Sequence, residues 1–326
     1  MKKEFDIISI GDSTVDFFLD IEEASVNCKI DDKDCQLCFD YANKVPIKKV
    51  TKVSGVGNAA NLAVGSSRLK LKTALYTILG NDESGQEIFN HFKKEGINPD
   101  YIIFDKKGGT NHSTVLNFQA ERTILVFHEH RNYHLPKFAK TKWVYFSSLS
   151  AGHEKIHQPV INLIKKNKIK LGFNPGTFQL KEGLKVLTPI MKVTEAFILN
   201  KQEAQRLLKS KEEDIKKLLV KLHKVGPRIV VITDSQNGSY AYDGQTTYSQ
   251  PIFDSPVVER TGAGDSFSTG FISALVSGND IPTAMRWGTV NACSVVQKVG
   301  AQAGLLTRNE LKKLLKKYSK VKNKII

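Results

Sequence analysis

The sequence predicts an α/β fold: a mainly parallel central sheet in a three-layer α/β/α arrangement, with a small β unit added to it. Three observations predict this. Short β-branched apolar runs alternate with stretches of helical period along most of the 326-residue chain. Runs such as 228–233 are apolar almost throughout, as strands covered on both faces are. Two regions, 15–53 and 110–131, break the alternation with strand patterns and no clear helix, so they read as insertions into a single domain spanning 1–326.

Taken in order, residues 5–10 read as a strand that ends at Gly11, and 59–69 as a helix with Ala and Leu at three- and four-residue spacing. A strand at 73–79 and a helix at 84–94 follow. The next units are strand 143–147, helix 154–166 and strand 169–173. Strand 196–199 leads into helix 201–208, and helix 212–224 precedes strand 228–233. Helices at 264–276, 282–296 and 308–318 complete the chain. The inserted unit shows apolar runs at 15–21 and 45–53, and a hairpin of 113–118 with 122–127 around residues 119–121.

Composition bounds the function. With 40% apolar and 25% charged residues the chain is globular rather than disordered. No run approaches the roughly 18 apolar residues of a membrane span, so no membrane partner is expected. Glu4, Asp6 and Asp12 make the N-terminus too acidic for a secretory leader, and a cytoplasmic protein is expected. The net charge of +15 comes from 48 basic and 33 acidic residues. The lysines are spread along the whole chain and accompany no nucleic-acid motif, so they read as solvated surface and no nucleic-acid partner is expected. Leu311, Leu314 and Leu315 among the lysines of the tail predict a terminal amphipathic helix. Of four cysteines, Cys28, Cys35 and Cys38 cluster in the first insertion. They read as three reduced thiols or, through the C-x-x-C at 35–38, as part of a zinc site completed by Asp31, Asp32, Asp34 or a second subunit.

The chemistry concentrates at the starts of helices. Thr261-Gly262-Ala263-Gly264-Asp265 opens an apolar helix, where unpaired N–H groups and the helix dipole make an anion site. A carboxylate there, Asp265, suits a general base that takes a proton from a hydroxyl while the loop holds a phosphoryl group. The simpler reading is an ordinary acidic residue in a first turn. Gly55-Val56-Gly57-Asn58, with Asn61 three residues on, opens another helix; Asn58 and Asn61 can face one ligand, or Asn58 can be the cap. Asp12 and Asp16 follow the first strand and suit hydroxyl donors, or are simply acidic loop residues. Asn200 and Glu203 sit where a strand passes into a helix and can organise water around Mg²⁺. Thr233, Asp234 and Gly238 end a buried strand, the usual side for ligands in open α/β sheets.

In this order the motifs resemble the ribokinase-like (PfkB) family of sugar and nucleoside kinases, over nearly the full chain. The resemblance implies ATP-dependent, Mg²⁺-requiring phosphoryl transfer to a hydroxyl of a small sugar. It makes Asp265 the base and the amides of Gly262, Ala263 and Gly264 the anion hole. Asn200 and Glu203 match the family's N-x-x-E motif, with Glu203 tied to Mg²⁺ through water. Asp12, Asp16, Gly57, Asn58 and Asn61 fall where the family binds the acceptor; Asn200, Thr233, Asp234, Gly238 and Asn291 fall along its nucleotide site. The insertions match the family's β lid, which closes over the sugar and often forms a homodimer. Three positions depart from the pattern: the stretch 54–57 lacks two adjacent glycines, Ser235 stands where many members have Gly, and Glu259 replaces an Asp near which some members bind a monovalent cation. No Walker P-loop is present. Three alternatives stay open. A nucleoside kinase would use Phe17, Phe18, Phe118 or Phe127 as a base platform. A sugar-phosphate kinase would use Arg122, His130 and Arg131. The third is a non-catalytic sugar or nucleotide sensor.

Overall fold

The computed structural model describes residues 4–28, 35–119 and 121–326. In chain order the first half holds β1 (Glu4–Ile10), β2 (Thr14–Ile21), β3 (Ser25–Asn27), β4 (Gln36–Cys38), β5 (Ile47–Val56), α1 (Asn58–Arg68), β6 (Thr73–Gly80), α2 (Glu83–Lys94), β7 (Ile102–Asp105), β8 (His112–Phe118), β9 (Glu121–Phe127) and β10 (Lys140–Phe146). The second half holds α3 (Glu154–Asn167), β11 (Lys170–Phe173), α4 (Thr177–Glu182), α5 (Leu184–Met191), β12 (Ala196–Asn200), α6 (Lys201–Leu207), α7 (Ile215–His223), β13 (Ile229–Thr233), β14 (Ser239–Tyr242) and β15 (Thr247–Gln250). The chain closes with α8 (Ala263–Val276), α9 (Ile281–Val295), α10 (Arg308–Lys317) and β16 (Lys324–Ile325).

Ten strands form the main sheet in the order β16-β15-β14-β13-β12-β11-β10-β1-β6-β7. From β13 to β7 every pairing is parallel; β14, β15 and β16 add an antiparallel edge. The two-residue period of a strand sends alternate side chains to opposite faces. Ile8 and Ile10, Val144 and Phe146, Phe197 and Leu199, Val230 and Ile232 enter one core, with Ile156, Leu187 and Leu218 of the covering helices. Ile7, Tyr145, Ile198 and Val231 enter the other, with Phe271, Trp287 and Val290. Both faces are thus buried, which is why these strands read as continuous apolar runs. The main elements predicted from the sequence are present with shifts of one to three residues at their ends. The pattern did not resolve α4 and α5, where Gly176, Gly183 and Pro189 mask short helices, nor the short strands β7 and β14 to β16.

The two insertions meet as a second, four-stranded sheet in the order β5-β2-β8-β9, with β2 central. The hairpin predicted at 113–127 is its β8–β9 edge. Val50, Ile124, Leu125, Val126 and Phe127 remain exposed on it.

The cysteine expectation is corrected here. A disulfide joins Cys28 to Cys35, beside the β3–β4 pair. Zinc is bound by thiolates, so this bond removes two of the three sulfurs from the expected set. Cys38 is a free thiol that accepts from Asn27 Nδ2 at 3.4 Å. Asp31, Asp32 and Asp34 lie outside the described residues. Among the described residues the group with metal-ligand spacing is instead His153, His157 and Glu182. Its spacing is already accounted for by polar pairing: His153 Nδ1 lies 3.2 Å from His157 Nε2, and His153 Nε2 lies 3.6 Å from Glu182.

Helices α1 and α8 pack against each other through small residues. A Cβ on Gly65 would stand 2.3 Å from Thr269 Cγ2, and the Ser66 and Ser273 hydroxyls meet at 3.1 Å. Gly65→Val is therefore expected to destabilise the fold by about 1–3 kcal/mol through overpacking, read as a lowered melting temperature. Gly264→Val, where a Cβ meets nothing within 4 Å, is the control that leaves the melting temperature near the parent's. Thiol titration is expected to find Cys38 reactive in the native protein and Cys293, 8% exposed on a cavity wall with its thiol bonded to Phe253 O, reacting more slowly. Cys28 and Cys35 should react only after reduction; stoichiometric bound zinc would contradict the disulfide.

Candidate active site

The candidate site lies where the parallel strands end. β1 has β6 on one side and β10 on the other, so the chain leaves it in both directions, and the strand ends there open a crevice. Gly11, Asp12, Ser147, Asn200 and Thr233 all follow or close C-terminal strand ends along it.

Asp265 occupies the first turn of α8, behind Gly262, whose φ of 79° is a left-handed conformation that suits glycine. Its carboxylate accepts a hydrogen bond from Asn61 Nδ2 at 2.7 Å. Burial pushes the carboxyl up to about 6, and the Asn61 donor acts against a further rise. Across the crevice Asp16, on β2, is likewise pushed up to about 6 by burial, opposed by the Ser113 hydroxyl and reinforced by the charges of Asp265 and Glu259. Asp16 Oδ1 is buried with no hydrogen-bond partner. A buried acceptor left unpaired is costly, and it is the atom a ligand hydroxyl would satisfy.

Other residues singled out on the acceptor side are placed differently. Asp12 is buried and already engaged: the Tyr133 hydroxyl lies 2.8 Å from both carboxylate oxygens, and Ser150 N–H donates at 2.8 Å. His128 Nδ1 lies 3.7 Å away. Asn58 is not the helix cap; Gly57 is, at φ 119°, and a Cβ there would meet the Asp12 carbonyl at 2.5 Å. Asn58 donates to Asn174 Oδ1 at 3.2 Å, so Asn58 and Asn61 have different protein partners.

On the other side of Ala263 and Gly264 lies a cavity of about 860 Å³. Asn200, Thr233, Asp234, Gly238, Ala263 and Gly264 are among its walls. Asn291 does not line it; buried in α9, it donates to Ser266 O at 2.7 Å and accepts from Leu306 N–H at 3.1 Å, which ties α8 to the segment before α10. Ser235, in the position that resembles a family glycine, has φ 47°, a conformation that costs a side-chain-bearing residue about 1 kcal/mol. At the glycine-rich turn that opens α8, Ala263 N–H donates to Arg260 O at 3.3 Å, so that amide is partly spent within the protein.

Asn200 and Glu203 form a reciprocal capping box: Glu203 N–H donates to Asn200 Oδ1 and Asn200 N–H to Glu203 Oε2, both at 2.8 Å. Burial, with Asp265 adding, holds the Glu203 carboxyl above its ordinary range. Glu259 accepts from Thr261 N–H at 2.6 Å and Gly300 N–H at 2.9 Å, which pins the turn before α8. Arg122 of β9 reaches within 3.5 Å of it and lines the cavity. Arg131, fully buried, pairs with Asp105 at 2.8 Å and with Gly109 O, so it braces the scaffold. Tyr133 and Gln302 carry site geometry that the sequence reading missed. Tyr133 sits in no glycine-rich motif, and Gln302 lies between Gly300 and Gly304, but the partners of both are revealed only by tertiary contact.

Comparison with known proteins gives the class first. The plant ribokinase from Arabidopsis thaliana, complexed with ribose and ATP, superposes with a TM-score of 0.79 at 21% identity, covering 96% of this chain and 99% of that one. A nucleoside kinase from Methanocaldococcus jannaschii, an archaeal member of the ribokinase family, gives 0.77 at 22% identity, with 97% and 99% covered. The fold is ribokinase-like. Residues 21–308 match the model of the pfkB family of carbohydrate kinases, and the chain belongs to that family of ATP-dependent kinases. A 5-dehydro-2-deoxygluconokinase from Bacillus licheniformis is 25% identical over 96% of this chain and 97% of its own length. A fructosamine kinase from Bacillus subtilis is 26% identical over 75% and 84%.

The two carboxyls pushed up to about 6, Asp16 and Asp265, make a stability prediction. Between the ordinary 3.8 and about 6 each of these two groups binds more protons in the native than in the unfolded state, so the contribution of this pair to stability is most favourable below pH 4 and falls as pH rises through 6. Asp265→Asn and Asp16→Asn are each expected to be more stable than the parent at pH 7.5, by about 2–3 kcal/mol. In urea unfolding across pH, that gap should close near pH 4; an unchanged gap would contradict the burial argument.

Proposed function

We propose that this kinase transfers the terminal phosphoryl group of ATP to a hydroxyl of a small sugar or sugar acid, with Asp265 as general base. One observation carries the reading. The Asp265 carboxylate stands at a helix start whose Ala263 and Gly264 line a cavity of nucleotide size, and its charge is felt by Asp16, whose buried Oδ1 is unpaired. An acceptor hydroxyl bonded to Asp16 would lie within the same crevice as the base, and a phosphoryl group held at the 262–264 turn would face it.

Phosphoryl transfer asks the protein for positioning and charge stabilisation more than for covalent chemistry. Asp265 would take the hydroxyl proton as the oxygen attacks. The N–H groups of the Gly262–Gly264 turn, pinned by Glu259, would receive the charge that develops on the transferring group. Arg122, reaching in from the second sheet, supports a lid role for that sheet: its guanidinium adds positive charge at the cavity. Magnesium would neutralise phosphate charge. The donor set suits it, because Glu203 commits only Oε2 to the Asn200 N–H and leaves Oε1 as the atom to hold metal-bound water. The capping role and the metal role are therefore compatible. Thr233, Asp234 and Gly238 would flank the nucleotide. A lid dimer is consistent with the exposed apolar residues of β9.

The sugar reading is favoured over a nucleoside. Phe18 is buried and Phe17 packs against the core beneath the second sheet, so neither offers a free platform for a base, and the exposed Phe127 already has the His112 ring stacked on it at 4.9 Å. Arg131 is committed to Asp105, which weakens the case for a sugar phosphate. Full-length similarity to 5-dehydro-2-deoxygluconokinases puts a deoxy-keto sugar acid first among acceptors to test.

The test is ADP release from ATP and Mg²⁺ over a panel of 5-dehydro-2-deoxygluconate, fructosamine, ribose, fructose, fructose 6-phosphate and adenosine. Acceptor-dependent turnover is expected, with kcat falling below pH about 6 as Asp265 protonates. Asp265→Asn should lower turnover by about 10²–10⁴-fold while ATP binding survives. Turnover retained in that variant would remove Asp265 as the base. ATP binding without turnover on any acceptor in the parent would favour the sensor.

A further inference from the structure

We propose that Gln302 is a positioning residue: it dictates which end of the Asn61 amide faces Asp265 and so keeps an N–H donor on that carboxylate. The proposal rests on the reading of Asp265 as the base.

The direction of the chain of hydrogen bonds is fixed at a backbone atom. Gln302 is buried, 5% exposed, in the turn after Gly300. Its Nε2 donates to Gly55 O at 2.7 Å and to Asn61 Oδ1 at 2.9 Å. A main-chain carbonyl only accepts, so the end of Gln302 facing Gly55 must be the NH₂ group. Its two hydrogens then meet two acceptors, and Asn61 must present Oδ1 to it. Asn61, 2% exposed, is left with Nδ2 toward Asp265 Oδ2 at 2.7 Å. At the far end Gln302 Oε1 lies 2.8 Å from His91 Nε2, which must therefore carry a hydrogen. Arg68 Nη1 holds the Gln302 carbonyl at 2.8 Å. Gly55, Asn61 and His91 come from β5, α1 and α2, so three elements agree on one orientation.

Without that agreement the Asn61 amide is free to turn over. Its oxygen would then oppose the carboxylate, and the group acting against a further rise in the carboxyl's pKa would be gone. The other groups facing Asp265 are Asp16 on β2, Glu203 on α6 and Tyr145 on β10, each of which feels its charge. None of them touches Gln302, so a change there reaches Asp265 through Asn61.

The experiment is the pH profile of kcat, with the parent's best acceptor, for Gln302→Glu, Gln302→Met, Asn61→Ala and the double variant Asn61→Ala/Gln302→Met. Gln302→Glu keeps the shape but has no donor for Asn61 Oδ1, and should move the acid limb of kcat upward by about one pH unit. KM for acceptor and ATP should stay within about twofold, because neither ligand is bound by Gln302. Gln302→Met, which brings no buried charge, should shift the limb in the same direction and keeps the test usable if Gln302→Glu folds poorly. In the Asn61→Ala background Gln302→Met, which adds no charge of its own, should add no further shift. An unmoved limb in both single Gln302 variants, or a shift that adds in full on top of Asn61→Ala, overturns the proposal. These results are separable from the base assignment: turnover retained in Asp265→Asn would sink the base, whereas Asp265-dependent turnover with an unmoved limb sinks only the role of Gln302.

Discussion

The close approach of α1 to α8 is the constraint on which the site depends. Asn61 and Gly65 are one turn apart on α1, and Asp265 and Thr269 are one turn apart on α8. The Gly65–Thr269 contact therefore sets, one turn along, the separation at which Asn61 meets Asp265 at 2.7 Å. Both helices begin at the crevice, so their N-terminal ends, with their unpaired amides and positive dipole ends, face the same space. A side chain larger than hydrogen at position 65 would wedge this pair apart. The backbone of the scaffold and the hydrogen bond of the site are in this sense one device.

Around that device three carboxylates converge. Asp16, Glu203 and Asp265 are all held above their ordinary range by burial, and the charge of Asp265 raises the other two further. A fold selected for stability alone would not gather them, because each is costly to ionise where it stands. The arrangement makes sense if a cation and hydroxyl donors enter the crevice and repay part of that cost. Glu259 is different: its two oxygens are satisfied by the Thr261 and Gly300 amides, and it serves the turn. The aspartate-to-glutamate departure at this position thus lengthens a side chain that fastens two loops.

How much could be read without the structure differs by element. The β1, β10, β12 and β13 strands were legible because burial on both faces leaves a continuous apolar signature, and α1, α8 and α9 because small and apolar residues recur at helical spacing. Short helices α4 and α5, broken by Gly183 and Pro189, and the antiparallel edge strands carry too few periods to register. The motif residues at helix starts were legible because glycine-rich turns and capping patterns are local. Their partners were not. Asn61 could be placed at a helix start, but that it serves Asp265 rather than standing beside Asn58 depends on a contact across 204 positions. The cysteine cluster was visible as a cluster; its chemistry turned on which sulfurs come within bonding distance.

The sequence by itself determined the α/β class, the two insertions that make the second sheet, and the glycine-rich turn at 261–264 with the carboxylate of Asp265 behind it, since each is written in a short stretch of chain. Only the tertiary structure decided the state of those groups. It placed Tyr133 and Ser150 on Asp12, left Asp16 Oδ1 unpaired, took Asn291 into the helix packing, and oriented Asn61 through Gln302. The physical reason is that a backbone conformation depends mostly on near neighbours, whereas the protonation and hydrogen bonding of a buried group depend on whatever the fold packs against it.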